Sequence, residues 1–244
     1  MKKIIMWTMA WWSLASAHAS ASTISFQGEG KAGVVEIRSD GFPSGVWTYA
    51  GELNWSWVGV PPDGFTSSWL YTYCIGADEY LLSQQTVSAG STDGLTMSGV
   101  TAPGSKVAWL LNTYAPGILA AGTGSDAAAL QVAIWEALYD NDGDLSTGRF
   151  QLLTANDSHV RTMAEAYMAS LMSSSYGDAS AIWLDTPAHG GQDQLALVPV
   201  AEPASLVLLG LGAVAACGWR HRSRLRHGLQ SCVRQTSRPT DTRA

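Results

Sequence analysis

Cys74 is the residue of this chain that raises the sharpest chemical question. It stands in the segment TYCIG, at positions 72–76, between an aromatic and a β-branched residue. The other two cysteines, Cys217 and Cys232, belong to a C-terminal tail with a different composition. Once that tail and an N-terminal export signal are removed, Cys74 has no partner for an intramolecular disulfide. Because a free thiol outside the cytoplasm is open to oxidation, we expect Cys74 to have a chemical role.

Gln131 is the second unusual residue, because it stands in the clearest helical segment of the chain. Ile134, Trp135 and Leu138 follow it at the i+3, i+4 and i+7 positions, which puts Gln131 on or beside the face that the helix buries. A buried and unpaired carboxamide costs on the order of 1–3 kcal/mol. Two interpretations are open: the amide hydrogen-bonds to backbone, or it has been used chemically.

The thiol and the carboxamide together have the chemistry of an internal thioester. The sulfur of Cys74 would attack the carboxamide carbon of Gln131 and expel ammonia, which removes both the free thiol and the unpaired amide. A thioester is an activated acyl group, so apolar and aromatic cover must keep water away from it until an amine or hydroxyl arrives. The flanking residues suited to this shielding are Tyr73, Ile75, Ile134 and Trp135.

These two segments resemble the thioester domains of bacterial surface adhesins. That family bonds a cysteine in an aromatic-Cys-Ile context to the glutamine of a Q-x-A-I-W segment, and the resemblance here spans roughly residues 45–200. It implies that Cys74 is the thiol donor and Gln131 the acyl donor, within a β-sandwich or barrel that carries a helical part. It also implies covalent capture of surface nucleophiles by a single acyl transfer, so the protein is not expected to be an enzyme with turnover.

The N-terminus predicts export. Two lysines precede an apolar stretch from Ile4 to Leu14, and a small-x-small cleavage site ends at Ala19. This order is typical of a secretory signal peptide over residues 1–19, which indicates export through the Sec pathway.

The C-terminus predicts a sorting signal. An apolar run follows a Glu-Pro dipeptide and reaches roughly 24 Å at about 1.5 Å per residue, a little less than a hydrocarbon core. Arginines directly after the run would hold that end in the cytoplasm. The whole resembles a PEP-CTERM signal, which implies a transmembrane sorting helix within 201–227, a basic cytoplasmic tail over 228–244, and an exosortase as processing partner.

This resemblance also implies where the protein is found. The protein would be anchored in the inner membrane before processing, and would then reach the cell surface or extracellular matrix of a Gram-negative bacterium. The residues that carry this resemblance are Pro199, Glu202, Pro203, Ala204, Ser205, Arg220, Arg222 and Arg224.

Residues 20–200 make up one domain's worth of chain, which we expect to be the thioester-like globular domain. They hold five basic and eighteen acidic side chains, a net charge of −13. An exported domain this acidic is a poor partner for nucleic acid or for anionic membrane surfaces.

The order of predicted elements is strands, then three helices, then strands, which indicates an α+β domain with a helical insertion. The helices are expected at 103–115, 125–140, where Ser125 or Asp126 would be the N-cap, and 157–174, capped by Asp157. The strands are expected at 23–27, 32–39, 44–60, 65–76, 79–89, 180–185 and 194–200.

Two glycine-containing motifs have weaker chemical interpretations, and no cofactor is expected. GEGKAG at 28–33 fits the G-x-G-x-x-G fingerprint, but a strand follows it where a dinucleotide site needs a helix, which indicates a glycine-rich hairpin. Asp140, Asp142 and Asp144 match three positions of a calcium loop. The glycine and bidentate glutamate of such a loop are absent at their positions, so a polar turn is favoured over a calcium site.

The tryptophan-rich segment leaves an alternative function open. Trp47 and Tyr49 alternate along a predicted strand, as do Trp55 and Trp57, so each pair faces one side. Such rings fill a core or stack on sugars. The alternative is therefore a non-covalent, extracellular matrix or carbohydrate-binding protein, while no motif supports a hydrolase.

Overall fold

The computed structural model describes residues 21–62, 65–187 and 191–197. The predicted signal peptide, sorting signal and basic tail lie outside these residues. Within them the chain has a mixed α/β fold with a large antiparallel sheet and three α-helices. The elements are β1 (Ser22–Arg38), β2 (Val46–Val58), β3 (Trp69–Cys74), β4 (Gln84–Ser91), α1 (Pro103–Ala121), α2 (Gly124–Tyr139), β5 (Gln151–Ala155), α3 (Ser158–Met172), β6 (Ile182–Asp185) and β7 (Gln194–Leu197). None of the helices in this part of the chain is long and apolar enough to cross a membrane.

The sheet closes on itself through its longest strand. β1 pairs with β2 along most of its length, and its first residues pair with β4. From β2 the pairing continues through β3, β7 and β6 back to β4, so these six strands form a closed ring of antiparallel pairs. β5 pairs with the last residues of β1, beyond the end of β4.

β1 corrects the prediction of two strands separated by a glycine-rich hairpin. The segment 28–33 stays inside one continuous strand, and register shifts fall between Phe26 and Gly28 and between Glu29 and Ala32. Gly28 has φ +119°, a conformation that side chains disfavour. The glycines therefore produce β-bulges that bend the strand and let it pair with both β4 and β5.

α2 is buried along nearly its whole length. Every residue from 127 to 139 is buried, including Gln131 and Glu136, so α2 is a central helix and not an amphipathic one with a solvent face. Its alanines permit close approach to the sheet, and a side chain at Gly33 of β1 would press on Ala128. The N-cap is Thr123, which forms a capping box with Asp126, so the predicted cap was placed two or three residues too late.

The other helices differ from expectation only at their ends. α1 continues past Pro116 to Ala121, beyond the predicted end at residue 115. α3 begins after Asp157, whose carboxylate accepts a hydrogen bond from the backbone N–H of His159 at 2.9 Å, as the predicted cap requires. β5 was not predicted, because its five residues have no clear alternation.

Candidate functional site

Cys74 and Gln131 come from different layers of the fold. Cys74 is the last residue of β3, where it pairs with Gln194 of β7. Gln131 lies in the middle of α2, the helix that packs on β1 and β2. Both residues are buried, with 7% of Cys74 and 1% of Gln131 exposed.

The carboxamide of Gln131 is bonded at both ends to the backbone of Cys74. Its Oε1 accepts from the backbone N–H of Cys74 at 2.8 Å, and its Nε2 donates to the backbone carbonyl of Cys74 at 2.8 Å. Of the two interpretations open at the sequence level, the hydrogen-bonded amide describes this structure. The backbone concerned is that of the one cysteine with which Gln131 was predicted to react.

The thiol of Cys74 has a different partner. It donates to Oε1 of Gln192 at 2.9 Å, and Nε2 of Gln194 lies 4.0 Å from the sulfur. Burial raises the pKa of the Cys74 thiol to about 12; the bond from Gln194 opposes this shift and the charge of Glu79 adds to it. The sulfur is therefore a protonated thiol at neutral pH, and its reaction must transfer the proton as the new bond forms.

Gln192 is held so that its oxygen faces the sulfur. Its Nε2 donates to the carbonyl oxygens of Gly76, at 2.6 Å, and Glu79, at 3.3 Å, which fixes the orientation of the amide. Its backbone exchanges hydrogen bonds with the side chain of Gln85, at 2.8 Å and 3.2 Å. Sequence reasoning missed Gln192. The only local signal was the spacing of Gln192 and Gln194 in the segment QDQ, whose last residue begins β7.

The four predicted shielding residues are all buried. Tyr73, Ile75, Ile134 and Trp135 have between 0% and 5% of their surface exposed. Trp135 also lines the cavity at Cys74 and packs against Phe150, with ring centroids 5.8 Å apart. Burial of all four is compatible with the shielding role, and Trp135 is the one of them that lines the cavity at Cys74.

A cavity of about 290 Å³ reaches Cys74 from the surface. Gln192 and Trp135 line it beside the sulfur, while Trp47, Tyr49 and Tyr80 stand at its rim with 52%, 61% and 75% of their surface exposed. A molecule of modest size could reach the sulfur by this route without disturbing the sheet.

The cavity wall also contains two carboxyl groups. The side chains of Glu29 and Glu79 both line it. Glu79 lies over Gly76, where any side chain would collide with its carboxylate. Burial raises the pKa of the Glu79 carboxyl, and a hydrogen bond from the backbone N–H of Asp193 opposes that shift. The wall therefore favours groups that are cationic or donate hydrogen bonds.

The two aromatic pairs of β2 have different surroundings. Trp55 is fully buried and its Nε1 donates to Oγ1 of Thr72 at 3.0 Å, and Trp57 is also buried. Trp47 and Tyr49, which share one face of the strand with each other, stay exposed at the cavity rim. One pair fills the core, and the other is free to contact a ligand.

The three carboxylates that match positions of a calcium loop are bonded to their own loop. Asp140 accepts from the backbone N–H groups of Arg149 and Phe150, and Asp142 accepts from the N–H of Asp144. Asp144 accepts from Ser146. The described residues contain no group of three or more side chains arranged to hold a metal ion.

Comparisons with known proteins add no relative. The chain matches no family model, no curated protein and no solved structure.

Proposed function

We propose that this is an exported, surface-sorted protein in which Cys74 and Gln131 form an internal thioester that captures a nucleophile covalently. The observation that carries the proposal is the pair of 2.8 Å hydrogen bonds that hold the Gln131 carboxamide against the backbone of Cys74. They fix an acyl donor beside the residue that bears the sulfur, in a buried site. Proximity of this kind replaces an encounter in solution and can lower a barrier by about 7–11 kcal/mol when the alignment is good.

Thioester formation has a simple balance of atoms. The sulfur of Cys74 bonds to the carboxamide carbon of Gln131, the bond from that carbon to Nε2 breaks, and the thiol proton leaves with the nitrogen as ammonia. The thiol must first release Oε1 of Gln192, and the carboxamide must release the backbone of Cys74. The reaction breaks one C–N and one S–H bond, forms one C–S and one N–H bond, and needs no oxidant or cofactor.

Capture reverses the role of the sulfur. An amine or hydroxyl that enters the cavity attacks the acyl carbon of Gln131, forms an amide or an ester, and returns a proton to the sulfur of Cys74. The acyl group is consumed, so the reaction happens once. The acidic cavity wall and the net charge of −13 over residues 20–200 favour a cationic amine, such as a protein lysine, over a neutral nucleophile.

The architecture and the chain ends support the same proposal. The closed ring of six strands with a helical insertion is consistent with the barrel expected of a thioester domain. Export by the predicted signal peptide and sorting by an exosortase would place the captured bond at the cell surface or in the extracellular matrix, where it would serve adhesion or matrix attachment.

A second candidate function is non-covalent binding of matrix carbohydrate. The observation that favours it is the exposure of Trp47, Tyr49 and Tyr80 around one cavity, because flat aromatic surfaces can contact sugar rings. In that case Cys74 would be a buried thiol with no chemical role.

Differential alkylation of Cys74 separates the two candidates. The full-chain protein is denatured at neutral pH with iodoacetamide, once directly and once after hydroxylamine has cleaved any thioester. The thioester predicts that wild-type Cys74 is labelled only after hydroxylamine, whereas Gln131→Ala is labelled in both samples. Complete labelling of the wild type without hydroxylamine would contradict the proposal and favour the non-covalent candidate.

A further inference from the structure

A second reactive arrangement lies where the start of α1 meets the end of α2. Lys106, in the second turn of α1, and Glu136, in the last turn of α2, are 3% and 0% exposed. Asn141 follows α2 directly after its C-cap residue and directs its side chain back toward Lys106. None of these residues takes part in the chemistry of Cys74.

The carboxamide of Asn141 is held at three points. Its Oδ1 accepts from Nζ of Lys106 at 2.9 Å and from the backbone N–H of Thr101 at 3.0 Å. Its Nδ2 donates to the carbonyl of Gly99 at 2.7 Å. The amine nitrogen of Lys106 therefore lies next to the carbonyl group of Asn141, and both ends of that carboxamide are fixed in place.

Glu136 lies buried near Lys106 and takes no part in the hydrogen bonds that hold Asn141. Neither of its oxygens makes a hydrogen bond of good geometry among the described residues, although the nearby backbone N–H of Gly143 opposes the rise in the pKa of the carboxyl. Burial, together with the nearby charges of Asp140, Asp142 and Asp144, raises the pKa of the Glu136 carboxyl to about 8. Burial lowers the pKa of the Lys106 ammonium, and the charge of Glu136 opposes that shift. Transfer of one proton from Lys106 to Glu136 makes both buried groups neutral, and a neutral amine is the nucleophilic form.

We propose that Lys106 and Asn141 form an intramolecular isopeptide bond, with Glu136 as the group that accepts the lysine proton. Nζ of Lys106 bonds to the carboxamide carbon of Asn141, the bond from that carbon to Nδ2 breaks, and the nitrogen leaves as ammonia with a proton from Nζ. The product is an amide, and no oxidant or reductant is needed.

The neighbouring backbone groups suit this reaction. Negative charge develops on Oδ1 of Asn141 when the amine attacks, and the backbone N–H of Thr101 already points at that oxygen. The carbonyl of Gly99 holds the nitrogen that departs. The bond would join the second turn of α1 to the residue that follows the C-cap of α2, the helix that carries Gln131.

Trypsin provides a direct test, because Lys106 is the only basic residue between Arg38 and Arg149. The test uses the full chain with Cys74→Ala, which cannot form the thioester, and this protein is denatured and digested. The isopeptide bond predicts one fragment, 39–149, which is uncut at Lys106 and lighter than its sequence by one ammonia. Tandem mass spectrometry should locate the link between Lys106 and Asn141.

Two variants and a control, each added to Cys74→Ala, make the assignment specific. Lys106→Arg keeps the positive charge but removes the nucleophile, and Glu136→Gln keeps the shape but removes the proton acceptor; both should yield the separate fragments 39–106 and 107–149. Glu165→Gln is the same substitution at an exposed position of α3 and should leave the linked fragment unchanged. Complete cleavage of the Cys74→Ala protein at Lys106, or an uncut fragment of full mass, would overturn the proposal. Because Cys74→Ala removes the thioester and leaves Lys106, Glu136 and Asn141 in place, either bond can fail without the other.

Discussion

The carboxamide of Gln131 should stabilise the fold whenever the thioester is absent. The appropriate background is Cys74→Ala, which cannot form the bond but keeps the backbone groups that Gln131 contacts. In that background Gln131→Ala leaves the buried N–H and C=O of residue 74 without partners. Each unsatisfied buried group costs about 1–3 kcal/mol, so the double variant should lose roughly 2–6 kcal/mol of the free energy of unfolding.

Urea unfolding of the two full-chain variants measures this difference, provided that the slope of the transition stays the same. Gln27→Ala is the matched control, since Gln27 is an exposed glutamine that also makes two side-chain hydrogen bonds. The control should change the free energy of unfolding by less than about 0.5 kcal/mol. A loss as small for Gln131→Ala as for the control would refute the inference that the carboxamide is bonded to residue 74.

Three further predictions concern charge and protonation. With the thiol kept free by Gln131→Ala, Gln192→Ala should shift the pH midpoint of Cys74 alkylation downward, because the acceptor that stabilises the protonated thiol is gone and the sulfur is less covered; an unchanged midpoint would contradict this role. In Lys106→Arg, where Glu136 stays a free carboxyl, burial keeps its pKa raised, so the free energy of unfolding should be highest below the ordinary pKa of a glutamate and should fall as the pH rises through the raised pKa. Thermal melts should show this loss, and Glu136→Gln should remove it. Finally, transfer to a polyamine should exceed transfer to a neutral amine of equal nucleophilicity at low salt and lose that advantage at high salt, whereas equal yields at low salt would exclude electrostatic steering.

Local sequence signals predicted the helices well. α2 is confirmed within one residue at each end, because apolar periodicity and the stop at Asp140 are properties of neighbouring residues. Its cap was missed because Thr123 stands before Gly124, and the capping box becomes visible only from the Thr123–Asp126 spacing. The continuous β1 was missed for a different reason: whether glycines make a turn or a bulge depends on partners far away in the chain.

The candidate site likewise has one part that the sequence predicts and other parts that it does not. That Cys74 and Gln131 lie together was predicted from a resemblance and from their chemistry, since 57 residues separate them and no local rule joins them. The approach of Gln192 to the sulfur depends on the pairing of β3 with β7 and could not be read from either segment. The burial of Lys106 beside Glu136 follows from the packing of α1 on α2, which composition does not specify.

The mass of the protein tests the thioester most directly. The full-chain wild type, Cys74→Ala and Gln131→Ala are purified from one host, and each measured mass is compared with the mass that its sequence requires. The thioester predicts that the wild type falls short by one ammonia more than either variant does, whether or not the Lys106–Asn141 bond is present. An equal shortfall in all three proteins, together with a fully alkylatable Cys74 in the wild type, would contradict it.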